Sequence, residues 1–291
     1  MGNARWSDVD WNSHRRATSG KSRSEIFTSA TLDPLLDPAK IKFRESRDSA
    51  ANPNSTPVIL AVDVTGSMGI LAEHIVRRDL GIIMSAIYDK KPVSDPHIMC
   101  MAIGDACCDQ APLQVTQFEA AVNPLTEQVM KIWLEGGGGG NDGESYALPW
   151  LFAAAKTKCD AIKKGRKGYL FTIGDESCLP TITKEQARKF LDVPGESDID
   201  AKLLHDHLAK DWNVFHLIVE TSATETQGAI ARWKALLGER AIVVPNHENL
   251  AEGIVVLMQM LNGMSRADAK KDWSGNRTAE AIADQFSVVS A

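Results

Sequence analysis

Three oxygen-bearing side chains stand at alternate positions where an apolar run stops. The segment reads Pro57-Val-Ile-Leu-Ala-Val-Asp63-Val-Thr65-Gly-Ser67-Met-Gly69. Seven residues rich in Val, Ile, Leu and Ala that open onto Gly-Ser-Met-Gly have the pattern of a buried strand feeding a tight turn. In an open α/β sheet such a turn lies at the carboxyl end of the strand, where ligands bind. An acid and two hydroxyls placed there suit a hard divalent cation such as Mg2+, which takes oxygen ligands and keeps some of its waters.

Two further stretches carry oxygen donors in comparable positions. Gly136 to Gly140 run into Asn141-Asp142-Gly143-Glu144-Ser145, and the glycines let backbone approach an ion or ligand closely. The apolar run Gly168–Gly174 ends in Asp175-Glu176. In a doubly wound sheet these loops converge on one crevice and surround a single small cation.

The elements that must position them are legible as an alternation. Strands are expected over 57–63, 97–103, 168–174, 214–219 and 241–244, with a shorter edge strand over 113–118. Helical spacing marks 70–89, 124–134, 144–157, 183–191, 198–210, 224–236 and 247–261. Strands alternating with helices predict an α/β fold: a doubly wound, mostly parallel sheet flanked by helices, with one short antiparallel edge strand. The expected division is a polar amino-terminal arm over 1–54, extended or partly docked, a domain over 55–262, and a polar tail over 263–291. Trp6, Trp11, Ile26, Phe27 and Leu35-Leu36 are the arm's apolar points.

With these residues in view, the chain resembles a von Willebrand factor A domain carrying a metal-ion-dependent adhesion site, of the intracellular bacterial or phage type. Asp63, Thr65 and Ser67 match the family's Asp-x-Ser/Thr-x-Ser strand end, and Asp175 matches its later strand-end Asp. The likeness spans roughly residues 56–262. It implies a Rossmann-like fold and Mg2+, with Mn2+ or Ca2+ as alternatives. Thr65 and Ser67 would be direct ligands, while Asp63 and Asp175 hold ordered waters. It also implies a vacant position that accepts an Asp or Glu carboxylate from a protein partner. The chain departs from the family in two places. Its glycine-rich loop offers Asn141, with Asp142 or Ser145 as alternatives, where the family has Thr. Its third loop reads Gly-Asp-Glu, so Glu176 adds negative charge. The resemblance implies an adaptor or assembly role, beside a AAA+ ATPase of the MoxR kind or in a stress-resistance system, rather than an enzyme.

Other classes are weighed on the same residues. A structural reading makes Thr65 and Ser67 caps of the following helix, which leaves the acids unexplained. No Lys follows the glycines as a P-loop requires. A phosphohydrolase of the haloacid dehalogenase type wants an acid at position 65, which is Thr; a metal-dependent phosphohydrolase is the alternative of another class. A third is a self-assembling component in which Asp33, Asp37 or Glu45 of the arm fills a neighbour's site. His205 and His207 are two apart, so they point away from each other on a helix, and a solvated face is expected. His216 is expected in the core.

Composition sets the frame. The chain has 291 residues, 44% hydrophobic and 24% charged, with a formal net charge of -6. That balance disfavours a nucleic-acid partner. No stretch approaches the ~18 continuous apolar residues of a membrane span, and the amino terminus lacks the apolar core of a signal peptide. Five cysteines without a C-x-x-C pair fit a reduced, cytoplasmic protein. Vicinal Cys107-Cys108 are read as buried or inert thiols, with redox activity as the alternative.

Overall fold

A computed structural model describes residues 5–136, 143–220 and 223–287 of the chain, without the side chains of Ser67 and 223–226. Ten strands occur among them: β1 Arg44–Ser46, β2 Thr56–Asp63, β3 Pro96–Ile103, β4 Leu113–Val115, β5 Thr157–Cys159, β6 Gly168–Gly174, β7 Thr181–Ile182, β8 Ile199–Asp200, β9 Trp212–Val219 and β10 Ala241–Val244. Six form the central sheet in the order β10-β9-β6-β2-β3-β4. All its pairings are parallel except β3 with the short edge strand β4. The chain leaves β2 toward β3 and later returns to β6 on the other side of β2. The topological switch therefore lies beside β2, where a crevice opens outside the strand ends.

Side-chain alternation along β2 divides the core into two layers. Val58, Leu60 and Val62 face one layer, together with Leu71 to Ile87, Val122 to Ile132 and Leu250 to Met260. Ile59 and Ala61 face the other, together with Tyr146 to Ala153, Phe190, Leu204 and Trp233. Helices thus cover both faces of the sheet, as a strand buried on both sides requires. Asp63 has the parity of Ile59 and Ala61 and points toward the Tyr146 layer. That parity places the acid.

The amino-terminal arm is ordered against the domain. Ser7 caps the helix Asp8–Thr18 through its hydroxyl, which accepts from Asp10 N. Trp11 from this helix is buried over Gly81, where a Cβ would lie 2.0 Å from the indole nitrogen. Around Gly81 the long helix following β2 contains a π-helical segment, Ile75–Asp79, with Leu80 N donating to Ile75 O. Such a segment leaves backbone groups for outside partners; His14 Nε2 lies 2.9 Å from Val76 O. Arg77 donates to the carbonyls of Thr18 and Lys21, and Arg23 pairs with Glu73 at 3.2 Å. The arm then passes the sheet edge, where Val115 N donates to Leu36 O, and this covers β4 against foreign strands. Asp33, Asp37 and Glu45, the acids considered for a neighbour's site, have local partners in Leu35 N, Ala39 N and Arg47.

The carboxyl-terminal segment also folds, into the helices Arg266–Asp272 and Arg277–Gln285. Ala279, Ile282, Ala283 and Phe286 are buried against the helix Leu250–Leu261, with Ile282 filling the notch at Gly253. Other elements differ from expectation in extent. The helix expected through 134 ends at Val129, and the one expected from 144 begins at Ala147. The edge strand stops at Val115. Among the described residues no helix is long and apolar enough to cross a membrane.

Candidate functional site

The site is built by three loops at the carboxyl ends of β2, β3 and β6, and by the segment that leads into the helix Ala147–Lys156. At the end of β2 the chain turns through Gly66, whose φ of +42° favours glycine. Asp63, fully buried, organises this turn. Its Oδ1 accepts from Thr65 N at 2.9 Å and from Thr65 Oγ1 at 2.7 Å. Its Oδ2 accepts from Tyr146 Oη at 2.6 Å.

Backbone pairing stitches the loops together. Glu144 N donates to Ser177 O at 2.9 Å, and Leu179 N donates back to Glu144 O at 3.1 Å, so the segment lies parallel to the loop after β6. On its other side Ser145 N donates to Gly104 O at 3.4 Å, and Ser145 Oγ accepts from Ala106 N at 2.9 Å. Because residues 144–146 serve these contacts, the helix starts only at Ala147. Glycine is required where the loops touch. A Cβ at Gly143 would lie 2.4 Å from Ser177 O, at Gly104 2.5 Å from Asp109 Oδ2, and at Gly174 2.0 Å from Tyr146 Oη.

The loop after β6 is anchored from behind. Trp233 Nε1 donates to Glu176 O at 2.8 Å. The Trp233 ring stacks on His216 with centroids 3.5 Å apart. His216 Nδ1 in turn lies 2.9 Å from Thr172 Oγ1. Burial holds His216 well below its usual pKa, so it is a neutral core residue, as its strand position suggested. His205 departs from the expected solvated face: it is buried, 5.8 Å in ring centroid from Trp150. His207 is exposed.

The electrostatics show a crowd of acids. Burial pushes Asp63 up to about 6, against the lowering hydrogen bonds of Tyr146 and Thr65, and the charge of Asp175 adds to the rise. Burial pushes Glu144 up to about 9, helped by the charges of Asp63, Asp105 and Asp109; a hydrogen bond with Thr65 opposes it. Glu144 is only 3% exposed, and its Oε2 has no hydrogen-bond partner. Asp105 is buried beside it, accepting from Cys107 N at 2.8 Å. Desolvated acids at this spacing call for positive charge.

Asp63 and Thr65 are hydrogen-bonded to each other, and the half-buried Asp175 follows β6 and acts on Asp63 through its charge. Asn141 and Asp142 lie outside the described residues, as does the side chain of Ser67. Ser145, the other alternative from that loop, has its hydroxyl oxygen committed to Ala106 N. Glu144 stood in the donor-bearing stretch but was not singled out from the sequence as a ligand. It was visible only as a helix-start acid, and its aim is set by pairing with residues 177–179. Asp105 was passed over as well, although it follows β3 as Asp175 follows β6. Cys107 and Cys108 are exposed rather than buried, while burial pushes Cys100 and Cys159 up to about 12.

The donor chemistry fits a hard cation: a carboxylate oxygen without a partner, acidic neighbours, a hydroxyl and glycine-lined approaches. Among the described residues no three His, Cys, Asp or Glu side chains are close enough to grip an ion by themselves. Hydroxyl and water oxygens have to complete a shell, as Mg2+ tolerates.

Gly174 tests the assembly directly. Gly174→Ala is expected to push Tyr146 off Asp63 and cost about 1–3 kcal/mol or more, as overpacking does. Urea denaturation measures this, and adding Tyr146→Phe, which removes the nearest clashing atom, should recover part of the loss. An unchanged midpoint would show the contact to be loose.

No family model matches the chain, and no curated protein matches it. Among solved structures it is similar to the pilus adhesin SpaC from Lactobacillus rhamnosus GG, at 10% identity and a TM-score of 0.46, covering 72% of this chain and 30% of that one. It is similar to proximal thread matrix protein 1 from the mussel byssus, solved with a zinc-occupied metal-ion-dependent adhesion site, at 6% identity and a TM-score of 0.41, covering 72% and 48%. It is also similar to the human COPII-coat protein Sec24c, at 12% identity and a TM-score of 0.36, covering 75% and 33%. The chain spans less than half the length of each. Likenesses this distant carry no functional argument, and the fold stands on the strand order above.

Proposed function

We propose that the chain is a divalent-cation-dependent protein-binding module with an adaptor or assembly role, not an enzyme. One observation supports this reading: Asp63, Thr65 and Glu144 come from two separate segments to one buried cluster, the charge of Asp175 acts on Asp63, and Glu144 Oε2 lacks a hydrogen-bond partner. Thr65 and Glu144 would hold the ion, with Ser67, and Asn141 or Asp142, as further donors from the same loops. Asp63 and Asp175 would orient its waters. When bound, Mg2+ supplies a charged position to which an oxygen ligand from outside can attach.

The chain's own residues decide what that position accepts. Asp63 is fixed by Tyr146 and Thr65, so the Thr65 hydroxyl is already oriented. Among the described residues Tyr146, which donates to Asp63, packs with Trp233 and His216 behind it. An Asp or Glu carboxylate of a protein partner is the proposed ligand, since a hard cation prefers it to other side-chain oxygens. The strand-end motif supports this, and so does the family resemblance it carries. Mn2+ or Ca2+ would serve in place of Mg2+. A AAA+ ATPase is a partner class the resemblance suggests, and a second copy of the chain is another. A cytoplasmic setting belongs to the same proposal.

The immobilised full chain, exposed to lysate of its source cells with Mg2+ or with EDTA, tests the reading by mass spectrometry. A protein retained in Mg2+ should be lost in EDTA and lost with Thr65→Ala. The same proteins retained under all three conditions would refute it.

A further inference from the structure

A second cluster of ligand-type side chains lies apart from the strand-end oxygens and takes no part in the proposed binding of a partner. His74 closes the helix Gly69–His74, and His247 opens the turn His247–Asn249 that leads into the helix Leu250–Leu261. The two residues are 173 positions apart in sequence (247 − 74), yet their ring centroids are 5.1 Å apart, with planes inclined at 41°. His74 Nδ1 is buried and has no hydrogen-bond partner. Both residues are half-buried.

The surroundings favour a ligating imidazole. Burial, then His247 and Arg78, hold the His74 pKa below its usual value, against the charges of Glu73 and Glu248. The ring is therefore neutral at neutral pH, the form that binds metals. Glu73 is occupied by Arg23 and Arg77, whereas Glu248 is exposed on the His247 side. The spacing is also right. Two imidazoles bound to one tetrahedral ion, with metal–nitrogen bonds of about 2.0–2.1 Å, have ring centres roughly 5 Å apart.

We propose that His74 and His247 form a two-imidazole site for a divalent transition ion of the Zn2+, Ni2+ or Cu2+ class. Imidazole nitrogen suits these ions, whereas Mg2+ prefers the oxygens at the strand ends. Among the described residues no third His, Cys, Asp or Glu completes the set, so water fills the remaining positions. Occupied, the site would clamp the helix that leaves the Asp63 turn to the start of the helix Leu250–Leu261.

Calorimetric titration of the full chain with Ni2+, in saturating Mg2+, tests the proposal. One equivalent should bind, and His74→Gln or His247→Gln should each weaken binding at least tenfold. His207→Gln, at an exposed histidine, should leave it unchanged. Cu2+ added to the unaltered chain should give an electron paramagnetic resonance spectrum with two imidazole nitrogens, a readout independent of how the variants fold. Absence of binding, retention in the double His74→Gln/His247→Gln variant, or coupling to a single nitrogen would overturn it.

Discussion

Asp63→Asn should make the metal-free protein more stable at pH 8 and abolish its stabilisation by Mg2+. The two effects have opposite signs and one cause. Burial raises the Asp63 pKa from 3.8 to about 6, so folding favours the protonated acid. Its contribution is fully present below the unfolded pKa near 4 and is lost as pH rises through about 6. Above that, the folded chain carries a buried carboxylate at a cost of up to about 3 kcal/mol, taking 1.36 kcal/mol per pKa unit. Asparagine cannot ionise, yet its amide oxygen can still accept from Thr65. Thermal melts between pH 5 and 8, with Mg2+ or EDTA, separate the cases. The unaltered chain should lose stability with pH in EDTA and regain part of it in Mg2+, whereas the variant should lose less and regain none. Asp79 complicates the slope, because burial raises it to about 7, against the charge of Arg78 3.8 Å away, and neither of its oxygens has a hydrogen-bond partner. It lies on the π-helical segment, so Mg2+ should not relieve its share. A variant that still responds to Mg2+ as the parent does would remove Asp63 from the site.

Removal of residues 1–43 should abolish the cooperative folding transition or lower it by tens of degrees. Trp11, Ile26, Phe27, Leu36 and Ile41 are all buried. At about 1.5–3 kcal/mol for each large apolar side chain, their burial rivals the total stability of roughly 5–15 kcal/mol usual for a domain. The entropy of ordering the arm offsets part of this. The polar consequences add to the loss. Lys156 is buried, and its ammonium donates to Pro38 O at 2.9 Å and Ile41 O at 2.8 Å; truncation leaves that charge without partners. Circular dichroism on heating checks the result, and an unshifted melt would show the arm to be peripheral. Trp11→Ala alone should cost about 3–5 kcal/mol, as truncation of a buried aromatic does.

What the sequence disclosed follows from the range of each interaction. The central strands were legible because short, wholly apolar runs bounded by turn residues have few other fates. The strand-end positions of Asp63, Thr65 and Asp175 were legible because each follows such a run. Glu144 was not, since its direction depends on a backbone ladder with residues 177–179 and on Gly143 fitting against Ser177 O. Sequence periodicity is blind to such contacts. The arm's apolar points were legible but their seats were not: Trp11 finds its place in a notch at Gly81 seventy positions later. The carboxyl-terminal segment carried a readable signal, because Ala279, Ile282, Ala283 and Phe286 stand at helical spacing. The surrounding charge obscured it.

The central claim is that oxygens from separate loops share one hard ion. The most direct measurement is an anomalous difference map from crystals of the full chain grown with Mn2+. A peak within bonding distance of Thr65 and Glu144, and within one water of Asp63 and Asp175, is the predicted result. A map with no peak there at saturating Mn2+, or with Glu144 and Thr65 turned away from any ion, would contradict it.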